Sequence, residues 1–79
     1  MTEIRIGDNI FRLRKQAKIT QEELASFLNL TKASVSKWET GQSLPDLLLL
    51  PQNAAFFDVT VDQLIGYEPQ LSEQQIREI

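Results

Sequence analysis

Within the twenty residues from Gln21 to Thr40, QEELASFLNLTKASVSKWET, the chain carries two complete helix signals with almost nothing between them. Thr20 and Glu23 stand three apart as a capping box, and Ile19 with Leu24 has the spacing of the hydrophobic staple that sets the angle at which the chain joins a helix. A helix therefore starts at Gln21. Leu24, Ala25 and Leu28 fall on its inner face, at positions that recur on one side of a 3.6-residue period. Asn29 ends it, because asparagine tolerates the left-handed backbone that a tight C-terminus needs. Thr31 then caps a second helix, with Leu30 and Val35 as its staple. Two helices meet across a three-residue turn.

A turn this short sends the second helix across the first at a steep angle, so one of its faces stays clear of the core. Val35 and Trp38, three apart, face inward. Lys32, Ala33, Ser36 and Lys37 are left outside with Thr31 at the edge: two cations, hydroxyls and a methyl, and no acid before Glu39. That surface suits the major groove of double-stranded DNA, where lysine can donate to guanine O6 and N7 and alanine can touch a thymine methyl. The plainer reading of Lys32 and Lys37 is a solvated polar face.

The same twenty residues, with Ala25 at the point of close helix approach and an apolar residue at Val35, resemble the helix-turn-helix of the phage Cro and repressor proteins and their bacterial relatives, the xenobiotic response element family. The flanks IFRLRKQAKITQEELA and WETGQSLPD, then FFDVTVDQLIG, extend the likeness over residues 6 to 66. The resemblance implies an all-α fold: a compact five-helix, repressor-like DNA-binding domain over residues 1–66, with the helix-turn-helix at its second and third helices. Residues 67–79 then form a linker and the start of a further helix. It also implies a sequence-specific transcriptional regulator, expected to repress, that reads DNA with residues 32–39 as a homodimer on an inverted repeat. Gln21 is the family's usual phosphate anchor, and Thr20 beside it can meet phosphate at the same helix start. Thr40, Gln42 and Ser43, in the loop after the second of the two helices, are placed along the DNA backbone by the likeness, with a solvated turn as the alternative. Arg14 and Glu39 are implied to form a structural ion pair. Val59, Val61 and Tyr67 fall at the end of the domain that the family sets at the dyad.

Composition narrows the alternatives. A chain of 79 residues makes one domain, and at this size only about 60% of the unfolded surface is buried, so a small helical bundle is the natural solution. Cysteine and histidine are both absent, which removes a disulfide framework, a thiolate metal site and a histidine base for Ser34 or Ser36. No Gly-rich phosphate loop or grouped carboxylate ligands appear. The expectation is a non-enzyme with no cofactor, no metal and no membrane contact, cytoplasmic in location. The net charge of −3 opposes DNA binding, yet it is unevenly spread. Residues 1–40 hold seven Lys or Arg against five acids (+2), and residues 41–79 hold one against six (−5). Steering should follow the local field of the basic half.

Elsewhere, Ile6, Ile10, Leu13 and Ala17 predict a helix over residues 6–17, and Arg12, Arg14, Lys15 and Lys18 suit the negative end of its dipole. Phe11 and Phe27 sit off the apolar stripes of their helices. In PDLLLLPQNAAFFDV, Pro51 would break a helix begun at Pro45, so the regular part is expected to begin between Leu48 and Leu50. Its stripe Leu47, Leu50, Ala54, Phe57 carries a polar Asn53 where an aliphatic residue is expected. Leu48, Leu49 and Phe56 are left over, either as an interface or because this helix is central. They support an alternative function, an antitoxin-like or coactivator-like protein-interaction module acting through a Leu/Phe-rich fourth helix. Thr60 with Gln63, Val59 with Leu64, and Gly66 frame a short fifth helix. Ser72 with Gln75, and Leu71 with Ile76, announce a sixth that has barely begun at Ile79. This pattern suggests the N-terminal part of a longer regulator.

Overall fold

Each of these three threonines caps a helix in the computed structural model, which describes residues 5–66. Thr20 Oγ1 accepts from the Glu23 amide (3.0 Å) while Glu23 Oε1 accepts from the Thr20 amide (2.9 Å), closing the box in both directions. Thr60 and Gln63 repeat it at 3.1 and 2.9 Å. Thr31 Oγ1 accepts from the Ser34 amide at 3.3 Å. Five helices result among the described residues, with no strand: α1 (Ile6–Ala17), α2 (Gln21–Phe27), α3 (Lys32–Glu39), α4 (Leu49–Phe57) and α5 (Val61–Ile65). Tyr67 and the sixth-helix signal lie outside the described residues.

One core holds them together, built from Ile6, Ile10, Leu24, Ala25, Leu28, Val35, Trp38, Ala54 and Leu64. The central element is α1, which touches α3, α4 and α5, while α2 packs on α3. Its stripe departs from expectation at the C-terminal end: Ala17 is exposed and Arg14 is buried. The cause is the turn that follows. Lys18 takes a left-handed conformation (φ 58°), its amide closing on α1, and the Ile19 amide donates back to the Arg14 carbonyl at 3.0 Å. The chain thus leaves the helix directly after Ala17, and Ile19, not Ala17, packs against the core. Asn29 is left-handed, as its position predicts (φ 59°), and so is Asp58 (φ 56°).

At Gly7, α1 comes against α3 so closely that a Cβ there would lie 2.0 Å from the Trp38 carbonyl oxygen. Asn9 ties α1 to the last helix, its Nδ2 donating to the Leu64 carbonyl at 2.9 Å.

The later start of α4 follows from Pro51, which sits in the first turn, where amides lack intrahelical partners. A turn centred on Asp46 leads into it: the Leu49 amide donates to the Asp46 carbonyl (2.8 Å) and the Leu47 amide to the Asp46 carboxylate (2.9 Å). Leu47 therefore lies before the helix, not on its stripe, and is 74% exposed. Of the leftover residues, Leu49 and Phe56 pack against the core and are half-buried, and Leu48 stays exposed at 73%. The Phe56 ring lies tilted against Phe27 (centroids 4.6 Å) and edge-to-face with Phe57 (5.1 Å).

Asn53 is fully buried. Its Nδ2 donates back to the Leu49 carbonyl at 2.9 Å, and its Oδ1 has no partner. An orphaned buried acceptor costs about 1–3 kcal/mol, and a leucine there removes it and adds apolar burial. Asn53→Leu should raise the melting temperature; an unchanged or lower midpoint would show that the extra volume is not accommodated.

Candidate nucleic-acid interface

Helix α3 is pinned from inside and bare outside. Val35 is fully buried and Trp38 is 4% exposed, while Thr31, Lys32, Ala33 and Lys37 are exposed and Ser36 is half-exposed. Its C-terminal carbonyls are closed by the loop: the Gln42 and Ser43 amides both donate to the Lys37 carbonyl (2.9 and 3.3 Å), and the Thr40 hydroxyl donates to the same oxygen (3.3 Å). Those amides are committed to the helix end. Any phosphate contact from this loop must come from the exposed side chains of Gln42 and Ser43.

What fixes α3 relative to α1 and α2 is a network around one carboxylate. Glu39 accepts from Arg14 through both oxygens, Nε to Oε2 at 2.8 Å and Nη2 to Oε1 at 2.9 Å. Arg14 also donates through Nη1 to the Ile19 carbonyl (3.0 Å), so the α1–α2 turn is tied in too. Phe11 lies against the outer side of this guanidinium, its ring centroid 5.4 Å from Arg14 Cζ, which gives the off-stripe aromatic a role. Gln21 supplies the third link, Nε2 to Glu39 Oε1 at 3.0 Å. Burial by itself pushes the Glu39 carboxyl up. Hydrogen bonds from Arg14 and Gln21, and the positive field of Arg14 and Lys15, more than offset it, so Glu39 titrates below the usual glutamate range. Arg14 is shifted upward, chiefly by its hydrogen bond to Glu39.

The side chains at the start of α2 are therefore partly engaged. Gln21 keeps one amide hydrogen beyond the one it gives Glu39, and Thr20 keeps its hydroxyl proton while its oxygen caps the helix. Both can still donate outward. Val59 and Val61 are half-buried against the domain's own core. Sequence reasoning missed Glu22: the structure brings this α2 carboxylate to 4.0 Å from Lys32 Nζ, so the exposed face around α3 includes an acid from the neighbouring helix. Nothing within α3 itself signals it.

A family model described as helix-turn-helix matches residues 10–64. The chain belongs to this helix-turn-helix family. The chain is similar to the HTH-type transcriptional activator BcrR of Enterococcus faecalis, 36% identical over 62 residues, covering 78% of this chain and 30% of BcrR. It is also similar to the immunity repressor protein of Bacillus phage phi105, 30% identical over 70 residues, covering 89% of this chain and 49% of the repressor. The helix-turn-helix chain thus spans less than half the length of either relative. Among solved structures, a transcriptional regulator from Listeria innocua superposes with a TM-score of 0.82 at 23% identity, covering 96% of this chain and 72% of that one. The P22 c2 repressor in complex with synthetic operator gives 0.74 at 24% identity, covering 80% and 96%. Hydroxypropylphosphonic acid epoxidase from S. wedmorenis gives 0.71 at 22%, covering 89% of this chain and 42% of the epoxidase. These structural likenesses establish the fold, and a fold shared by repressors and an epoxidase does not by itself decide function. Among the described residues, no helix is long and apolar enough to cross a membrane.

Proposed function

We propose that this helix-turn-helix domain binds duplex DNA sequence-specifically as the DNA-reading part of a transcriptional regulator. The observation that carries the reading is the outer face of α3. Its inner residues Val35 and Trp38 are locked in the core, its end is tied by Glu39, and Thr31, Lys32, Ala33, Ser36 and Lys37 are directed outward as reading residues. Thr20 and Gln21 position the domain on one strand of phosphates, with the side chains of Gln42 and Ser43 as phosphate contacts on the other side of α3, while the Thr40 hydroxyl stays with the Lys37 carbonyl. Repression needs only occupancy of the site, whereas activation needs a further contact, so repression is the simpler outcome for this part alone. Two copies on a two-fold axis would set their α3 helices about 34 Å apart, one turn of DNA, and the target would be an inverted repeat. Val59, Val61 and Tyr67 are the dimer contacts we assign to that arrangement. No enzymatic step is proposed, in keeping with relatives named as regulators.

Binding should weaken steeply with salt. Lys32→Ala and Lys37→Ala should each cost about 1–3 kcal/mol on a site selected from random DNA, and relax specificity at one base position. If both variants bind the selected site like the wild type, α3 is not the reader.

A second reading rests on Leu44, Leu47 and Leu48, exposed at 68%, 74% and 73% in the turn before α4. Under that reading the domain is a protein-interaction module that docks through this leucine group instead of the α4 face. Salt-indifferent association and no retention on DNA would favour it.

A further inference from the structure

The outer face of α3 is not purely basic in three dimensions. Glu22, from the first turn of α2, brings Oε1 to 4.0 Å from Lys32 Nζ, with the two side chains 74% and 61% exposed. Glu22 has no part in the capping of α2, which Glu23 performs. It joins neither the core nor the Arg14–Glu39 network. An exposed pair at this separation contributes little to stability. Its position matters more. A phosphate or base edge approaching Lys32 comes well within the Debye length of about 10 Å at 0.1 M salt from the Glu22 carboxylate.

We propose that Glu22 is a specificity-determining residue that competes with DNA for Lys32 and makes contact with arbitrary sequence unfavourable. The inference rests on the DNA-reading function proposed above. On a random duplex, Lys32 is offered only phosphate, a monovalent anion that Glu22 already matches, and the nearby carboxylate repels the strand. On the correct site, Lys32 is offered a directed acceptor on a base, and the exchange becomes favourable. This is discrimination by an unfavourable element set against the wrong partner. It accounts for an acidic side chain on a surface that otherwise favours phosphate.

The test uses Glu22→Gln, Lys32→Ala and the double variant in the 79-residue chain, with affinity for a random duplex and for a selected site measured across a salt series. Glu22→Gln should tighten random-duplex binding by up to about eightfold near 0.1 M salt, the gain from one more phosphate contact at a salt slope of about 0.9. The selected site should gain less, so the ratio of the two affinities falls. In the Lys32→Ala background the gain should shrink. Unchanged or weaker random-duplex binding by Glu22→Gln, an unchanged ratio, or an undiminished gain without Lys32 would each overturn the assignment while leaving DNA reading by α3 intact. A wild-type chain that binds no duplex at low salt would overturn the DNA reading and this inference together.

Discussion

Gly7→Ala should unfold much of the population at temperatures where the wild type is native. The added Cβ would meet the Trp38 carbonyl oxygen at 2.0 Å and the Trp38 carbonyl carbon at 3.0 Å, both backbone atoms of α3. No side chain can swing aside to relieve this. Either α1 and α3 separate, or the end of α3 shifts and disturbs the turn in which Gly41 donates to the same oxygen at 3.2 Å. Overpacking a tight core costs about 1–3 kcal/mol and sometimes more, and a backbone-on-backbone clash belongs at the upper end. Alanine's better helix propensity returns at most about 1 kcal/mol. In a domain of this size each kcal/mol moves the midpoint by about 4–8 °C, so the melting temperature should fall by about 10 °C or more. Circular dichroism melts of Gly7→Ala check this, and a midpoint within a few degrees of wild type would mean that the helices part easily there.

Arg14→Ala should be comparably damaging. The Arg14 and Glu39 side chains are 8% and 5% exposed, and once the guanidinium is gone Gln21 is the side chain still donating to the carboxylate. Removing one partner of a buried pair typically costs about 3–5 kcal/mol, mostly from the stranded charge, whereas an apolar pair of similar volume can be near neutral. Arg14→Met combined with Glu39→Leu should therefore recover much of the stability that Arg14→Ala loses. Acid separates the two effects further. Because the folded-state pKa of Glu39 lies below its ordinary value of 4.5, its stabilisation is fully present above that pH and is lost as pH falls through the lower, folded-state value. Arg14 is shifted upward, so its own contribution is lost only in strong alkali. Without Arg14, burial favours the neutral carboxyl, so the deficit of Arg14→Ala should narrow as pH is lowered, first as the stranded carboxyl takes up a proton above 4.5 and then as the wild type loses the Glu39 contribution below it. Urea titrations of both proteins at neutral pH and at acidic pH measure it, and a deficit that stays constant across that range would place the cost elsewhere.

The contrast between these residues explains what could be read in advance. Helix starts are local: a threonine hydroxyl and a side chain three residues on satisfy amides within one turn, so Thr20, Thr31 and Thr60 mark their helices in the primary sequence. Pro51 acts locally too, and it placed the start of α4 within the expected window. The Arg14–Glu39 pair, 25 residues apart, was legible only through family resemblance, because no local pattern joins the two. Ala17 and Leu47 fit the helical period and are nonetheless exposed, since periodicity assigns a face without saying where the packed partner ends, as at Ala17, or where the helix begins, as at Leu47.

The sequence by itself determined the five helices among the described residues, the threonine caps of α2, α3 and α5 and the outward set on α3, because capping and amphipathic spacing act over a few residues. Tertiary structure alone decided which backbones approach too closely for a side chain, as at Gly7, and that Glu22 stands beside Lys32. Both depend on distances between helices that only the packed core sets.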